Sequence, residues 1–135
     1  MSWPELDWGD VEQAVALWLR FRHSGVRVVN ELPADLEKKL PLLQVQVTPG
    51  GGDTGGVDGE TLVDVDAFAG TRTQMWDLAR AARTSMLALA GQYIGGLVID
   101  TVSTDVRPAP VDYGNPALRR AVATYRLTSR AQAPA

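Results

Sequence analysis

With 135 residues and a mass of 14.5 kDa, the chain is expected to form a single domain, 1–135, large enough to bury about 68% of its unfolded surface. Its 45% apolar and 21% charged residues exclude a fibrous repeat and wholesale disorder. Thirteen basic against sixteen acidic residues leave a net charge of −3, which argues against a grip on duplex DNA, and the lack of cysteine with a single histidine, His23, excludes disulfides, thiol nucleophiles and multi-histidine metal motifs.

Residues 1–9 carry Trp3, Pro4 and Trp8 without a period and read as a loose lead-in. No charged-then-apolar leader opens the chain, and apolar runs such as Met86 to Ala90 fall far short of the ~20 residues that span a bilayer. A soluble, cytoplasmic chain without a membrane partner is expected.

Asp10, with Gln13 three residues on, starts a helix over about 10–23. Val11, Ala14, Val15, Trp18 and Leu19 share one face of it, and Gly25 stops it. His23 falls in its last turn with Arg20 and Arg22, where positive charge complements the negative helix end, a reading preferred over a catalytic base. Val26 to Glu31 is a short β-branched strand closed by Leu32-Pro33, and 34–40 is a loop or a turn of helix. The next strand alternates Leu43, Val45 and Val47 against Gln44, Gln46 and Thr48.

Residues 49–60 hold six glycines and read as a flexible loop. Gly50, Gly52 and Gly55 satisfy G-x-G-x-x-G, but a strand follows instead of a helix, so no dinucleotide or phosphate cradle is assigned and no cofactor is expected. The following strand, Thr61 to Ala69, sets Val63, Val65 and Ala67 against Asp64, Asp66 and Phe68, with the two carboxylates on an exposed polar face. Thr71 or Thr73 caps a second helix, whose stripe is Met75, Leu78, Ala79, Ala82, Met86 and Leu89. Arg72, Arg80 and Arg83 flank the stripe, and Asp77 can pair with Arg80.

A fourth strand follows Gly95-Gly96, and 107–116 reads as an irregular bend on account of its three prolines. Residues 118–130 form a fifth strand, in which Ala121, Ala123, Tyr125 and Leu127 oppose Arg120, Val122, Thr124, Arg126 and Thr128. Alternating arginines on this terminal strand mark a solvated or partner-facing surface, and residues 131–135 form a loose tail. The element order α-β-β-β-α-β-β predicts an α+β fold: a mainly antiparallel or mixed sheet of about five strands with two helices on one side.

That order, with VRVVNELP at 26–33, LPLLQVQVTPGG at 40–51, LVDVDAFAGTR at 62–72, VDYGNP at 111–116 and RRAVATYRLTSR at 119–130, resembles the tail terminator and tail-completion proteins of long-tailed phages. Most of the likeness lies in Glu31 to Pro33, in the strand entering Gly50-Gly51 and in the closing ATYRL strand at 123–127. The glycine-rich stretch has no fixed counterpart in that family pattern. The resemblance implies a structural virion protein of the tail or neck, assembled in the host cytoplasm, with no catalysed reaction. It would form a ring, commonly a hexamer, that caps the tail tube, ends its polymerisation and joins it to the head connector, without sequence-specific binding of nucleic acid.

A closed ring needs two different contact patches per subunit. The candidates are acidic Asp64 and Asp66 against basic Arg119, Arg120 and Arg126, paired between neighbours. Gly51, Gly52, Asp53, Thr54, Gly55 and Gly56 are the candidate contact with the tube or connector. Alternatives are another neck or minor tail component, an adaptor binding a peptide along a strand edge, and a small metal-dependent enzyme using Asp64 and Asp66 with Glu60 or Asp58.

Overall fold

The computed structural model describes residues 10–54 and 58–131. The lead-in 1–9 and the tail 132–135 lie outside the described residues. In chain order the elements are helix α1 (Asp10–Arg22), strand β1 (Arg27–Val29), a 3-10 turn (Leu36–Lys38), β2 (Leu42–Thr54), β3 (Asp58–Ala69), helix α2 (Arg72–Ala88), β4 (Tyr93–Ile94), β5 (Leu97–Val111) and β6 (Arg119–Ala131). The fold is α+β, with one mixed sheet ordered β1-β2-β3-β6-β5-β4. Only β1 and β2 pair in parallel; the other four pairings are antiparallel.

Both helices pack on the same face of the sheet. Their buried stripes, Val15, Trp18 and Leu19 from α1 and Met75, Leu78, Ala82 and Met86 from α2, meet Val45, Val63, Val65, Ala123, Tyr125 and Leu127 in the main core. Thr71 caps α2 with its hydroxyl accepting from the Gln74 amide at 3.2 Å, as the capping pattern predicts. The Trp18 indole donates to the Ser85 carbonyl at 2.7 Å and joins the two helices. On the opposite face a smaller cluster of Leu36, Leu42, Phe68 and Leu118 fills the end where β2 begins and β3 ends. That cluster buries Leu42 and Phe68 on the face otherwise expected to be polar.

The sheet has six strands, because Tyr93 and Ile94 fold back on Val98 and Leu97. Gly95 and Gly96, with φ of 60° and 83°, make the two-residue turn whose left-handed backbone matches the strand twist. The expected loop at 49–60 is instead the end of a hairpin: Gly52, Asp53 and Thr54 pair with Glu60, Gly59 and Asp58, after a register shift between Thr48 and Gly52. Glycines admit such an irregularity, and β6 holds the far side of β3. The expected bend at 107–116 starts only after Val111, since β5 runs on through Pro108 and Pro110. Its pairing with β4 ends at Val98, so β5 is an edge strand beyond that point, and Pro108 falls in the register shift between Val106 and Ala109, both places where a missing N–H need cost nothing. The strand last in sequence, β6, lies in the middle of the sheet between β3 and β5.

Candidate functional site

The face of the sheet turned away from the helices carries a ladder of charge pairs across β3, β6 and β5. Antiparallel register sets Asp66 beside Val122, Asp64 beside Thr124 and Leu62 beside Arg126, so side chains of alternate residues reach across to one another. Arg120 donates to Asp66 Oδ2 through Nη2 at 2.7 Å and Nε at 3.2 Å. The Thr124 hydroxyl donates to Asp64 at 2.6 Å. Arg126 bridges Glu60 at 2.7 Å and Asp105 at 3.2 Å, and Arg130 meets Asp100 at 3.2 Å.

Asp66 is the exception to the exposed polar face expected for β3. It is 4% exposed, and its Oδ1 is buried without a hydrogen-bond partner. Burial pushes its carboxyl above the ordinary value, against the opposing pull of Arg120, and neighbouring Asp64 adds to the rise. The Arg120 guanidinium lies 5.8 Å from both the Phe68 and Tyr113 rings, which are themselves packed edge to face. Asp64 and Asp66 therefore share a face but are directed to different partners on β6. Among the described residues no three His, Cys, Asp or Glu side chains converge as a metal site would require.

The charges expected to pair between subunits thus find partners inside one chain: Asp66 with Arg120, and Arg126 with Glu60 and Asp105. Arg119 stands apart from them. It immediately precedes Arg120 in β6, donates to the Pro116 and Leu118 carbonyls at 3.2 and 3.0 Å, and lines a cleft of about 500 Å³ with Arg72, Met75, Asp112, Tyr113 and Arg120. A second cleft of about 470 Å³ lies along α2 and β5, between Trp76, Arg80 and Arg83 on the helix and Arg107 and Pro108 on the strand. Arg80 lies 4.9 Å over the Trp76 ring and makes no ion pair with Asp77 among the described residues. The arginine spacing on α2 is visible in sequence, but its union with Arg107 and Arg119 requires the sheet.

His23 also differs from its expected part. Its Nε2 is 2.8 Å from the Ser85 hydroxyl, and burial, assisted by Arg22, holds the imidazole below its ordinary pKa. It ties α1 to α2 as a neutral ring and does not supply positive charge to the helix end. Of the glycine-rich candidates, Gly51, Gly52, Asp53 and Thr54 belong to β2, while Gly55 and Gly56 lie outside the described residues.

Both long edges of the sheet are obstructed. The Val47 amide on β2 donates to the Glu12 carboxylate of α1 at 3.0 Å. On β5 three register shifts and two prolines interrupt the edge.

No known family matches the sequence, and no curated protein matches it. Among solved structures the chain resembles one from the virion of a native gene transfer agent particle, at a TM-score of 0.70. The fold is shared. The similarity covers 90% of this chain and 96% of that one, at 12% identity, so the likeness of fold runs along nearly the whole chain while few residues are identical. Among the described residues no helix is long and apolar enough to cross a membrane.

Proposed function

We propose that this protein is a structural component of a phage-like virion, a tail terminator that forms a ring, of six subunits in this reading, on the end of the tail tube. The observation that carries the proposal is the end-to-end likeness to a chain of the gene transfer agent virion, 96% of which is covered. The resemblance of the sequence to tail terminators gives it the finer role. Work of this kind is geometric: a tube end occupied by the ring offers no docking surface to another tube subunit, and the ring's other side is presented to the head connector.

The geometry supports a part that acts by shape. Glu60, Asp64 and Asp66 on β3 are committed to hydroxyl and guanidinium partners, which stiffen the sheet instead of leaving an acid and base poised at a cleft. Arg119 and the hairpin end formed by β2 and β3 are the contact elements of this reading, while Asp64, Asp66, Arg120 and Arg126 hold the subunit's own register. Exposed ion pairs contribute only ~0–1 kcal/mol each, so ring stability must come chiefly from apolar contact. Exposed apolar side chains are available in Leu17, Phe21 and Tyr93.

Sedimentation and negative-stain images of the purified chain test the proposal. The expected species has six times the 14.5 kDa chain mass and appears as an annulus. A monomer at every concentration, with no annuli, counts against the ring. Turnover of a small molecule that is lost on neutralising Asp64 or Asp66 would establish the metal-dependent alternative.

A further inference from the structure

From the charge and the walls of one cleft we infer that the surface between α2 and β5 receives an acidic segment of a second virion protein, one that alternates carboxylates with apolar side chains. The inference rests on the virion reading above for the kind of partner only; the site itself belongs to a single chain.

The cleft of about 470 Å³ has room for a few side chains of a docked segment. Arg80 and Arg83 on α2 and Arg107 on β5 supply its charge, and Trp76, Val106, Pro108 and Ala109 its apolar walls. Among the described residues no carboxylate lines it. Asp105 is turned to Arg126, and Asp77, one residue from Trp76, stays outside the lining. None of the three arginines has an ion-pair partner among the described residues, whereas Arg120, Arg126 and Arg130 on the other face of the sheet are all paired. Arg80 lies 4.9 Å over the Trp76 ring, which positions its guanidinium without neutralising it. Arg83 donates to the Thr104 hydroxyl at a long 3.4 Å.

Charge and walls together choose the ligand. Unneutralised guanidinium groups gathered at one place on a chain of net charge −3 select an anion, and the planar fork of arginine suits carboxylate and phosphate alike. The walls decide between the two. Val106 is 50% exposed and gains from cover by an apolar side chain, which a polypeptide carries and a phosphodiester backbone lacks. Arg80 already covers the Trp76 ring, the kind of surface on which a base would stack. A nucleic acid also needs a continuous basic track, and the cleft that Arg72 lines from the start of the same helix carries Asp112 and the already paired Arg120. Pro108 and the register shifts of β5 break its edge, so the segment is held by side chains and does not add to the sheet as a strand.

Fluorescence anisotropy of a labelled peptide of alternating glutamate and leucine, titrated with the full chain, tests the site; an all-glutamate peptide and an oligothymidylate are titrated alongside. The alternating peptide is expected to bind saturably, more tightly than the other two, and less tightly as salt is added. Arg80→Gln with Arg107→Gln alters two exposed side chains without ion pairs among the described residues, so melting should stay close to that of the parent while the affinity falls about tenfold or more. Arg27→Gln with Lys38→Gln removes the same charge from β1, at the far edge of the sheet, and from the turn that follows it, and should bind like the parent. A parent chain that does not bind the alternating peptide overturns the inference, and so do equal losses in the two double variants, which would reflect bulk charge alone. Equal or tighter binding of the all-glutamate peptide or of the oligothymidylate overturns it as well, the latter assigning the cleft to nucleic acid. If the Arg80→Gln, Arg107→Gln chain also loses the parental mass in sedimentation, the cleft serves a second copy of this chain and the inference falls. The ring is judged separately, on the mass and the annuli of the parent.

Discussion

The single carboxylate of Asp66 shows how burial and pairing compete at one residue. Its ion pair with Arg120 is half inside the protein, with the arginine side chain 29% and the aspartate side chain 5% exposed. Removing the arginine alone strands a buried charge, which costs several kcal/mol, whereas removing both charges costs less. Arg120→Ala should therefore lower stability by about 2–4 kcal/mol, and adding Asp66→Asn should recover part of the loss in a urea titration. Equal losses in the single and double variants would show that packing against Phe68 and Tyr113, not charge, is what Arg120 contributes. His23 gives a pH signature of known sign. Its folded pKa lies below the unfolded 6.5, so the unfolded chain binds the proton more readily, and its contribution is complete above 6.5 and lost as pH falls toward the folded value. Thermal melts from pH 7.5 downward should show that loss, and His23→Gln should flatten it. Asp66 acts with the opposite sign: its raised folded pKa withdraws stability as pH climbs from 3.8 through that value.

At the scale of elements, the faces of α1 and α2 were legible because helical periodicity is local: Met75, Leu78, Ala82, Met86 and Leu89 are all buried as their spacing predicts. Alternation on β3 and β6 was legible for the same reason. The extent of β2 and β5 was not. Glycines at 50–52 and prolines at 108 and 110 signal loops only while the position of their strand in the sheet is unknown, and that position depends on pairing partners far along the chain. The pairing of Arg120 with Asp66 was hidden likewise, since it joins residues 54 apart through register alone. The short strand β4 did leave a signal, the Gly95-Gly96 pair before an apolar run. Gly95 has a second duty, because a Cβ there would sit 3.4 Å from the Ala14 backbone and side chain. Gly95→Ala should thus cost the left-handed backbone penalty of about 1–2 kcal/mol and also bring the new methyl into tight contact with Ala14 of α1. Gly96→Ala, with no atom within 4 Å of its Cβ, should cost the backbone penalty alone, so a melt that ranks the two equally would remove the α1 contact from the account.

For the whole molecule, the manner in which copies can meet is set by what the sheet edges forbid. A six-stranded sheet with two free edges could extend itself without limit, copy by copy, and such growth would produce a fibre, not a closed ring. Glu12 occupies the outward Val47 amide on one side, and on the other Pro108, Pro110 and the register shifts of β5 remove donors and break the pleat. Assembly is thereby diverted from the backbone to side-chain surfaces, where charge and shape can define an angle between neighbours and hence closure. Replacing Pro108 and Pro110 by threonine restores two strand-forming residues with amides on an open edge. The expected result is growth to a broad distribution of sizes in light scattering, with increased thioflavin binding, in place of one discrete mass. Should the double variant keep the parental mass at high concentration, the prolines are not what holds the edge closed, and the bulges together with Arg107 and Asp105 must suffice.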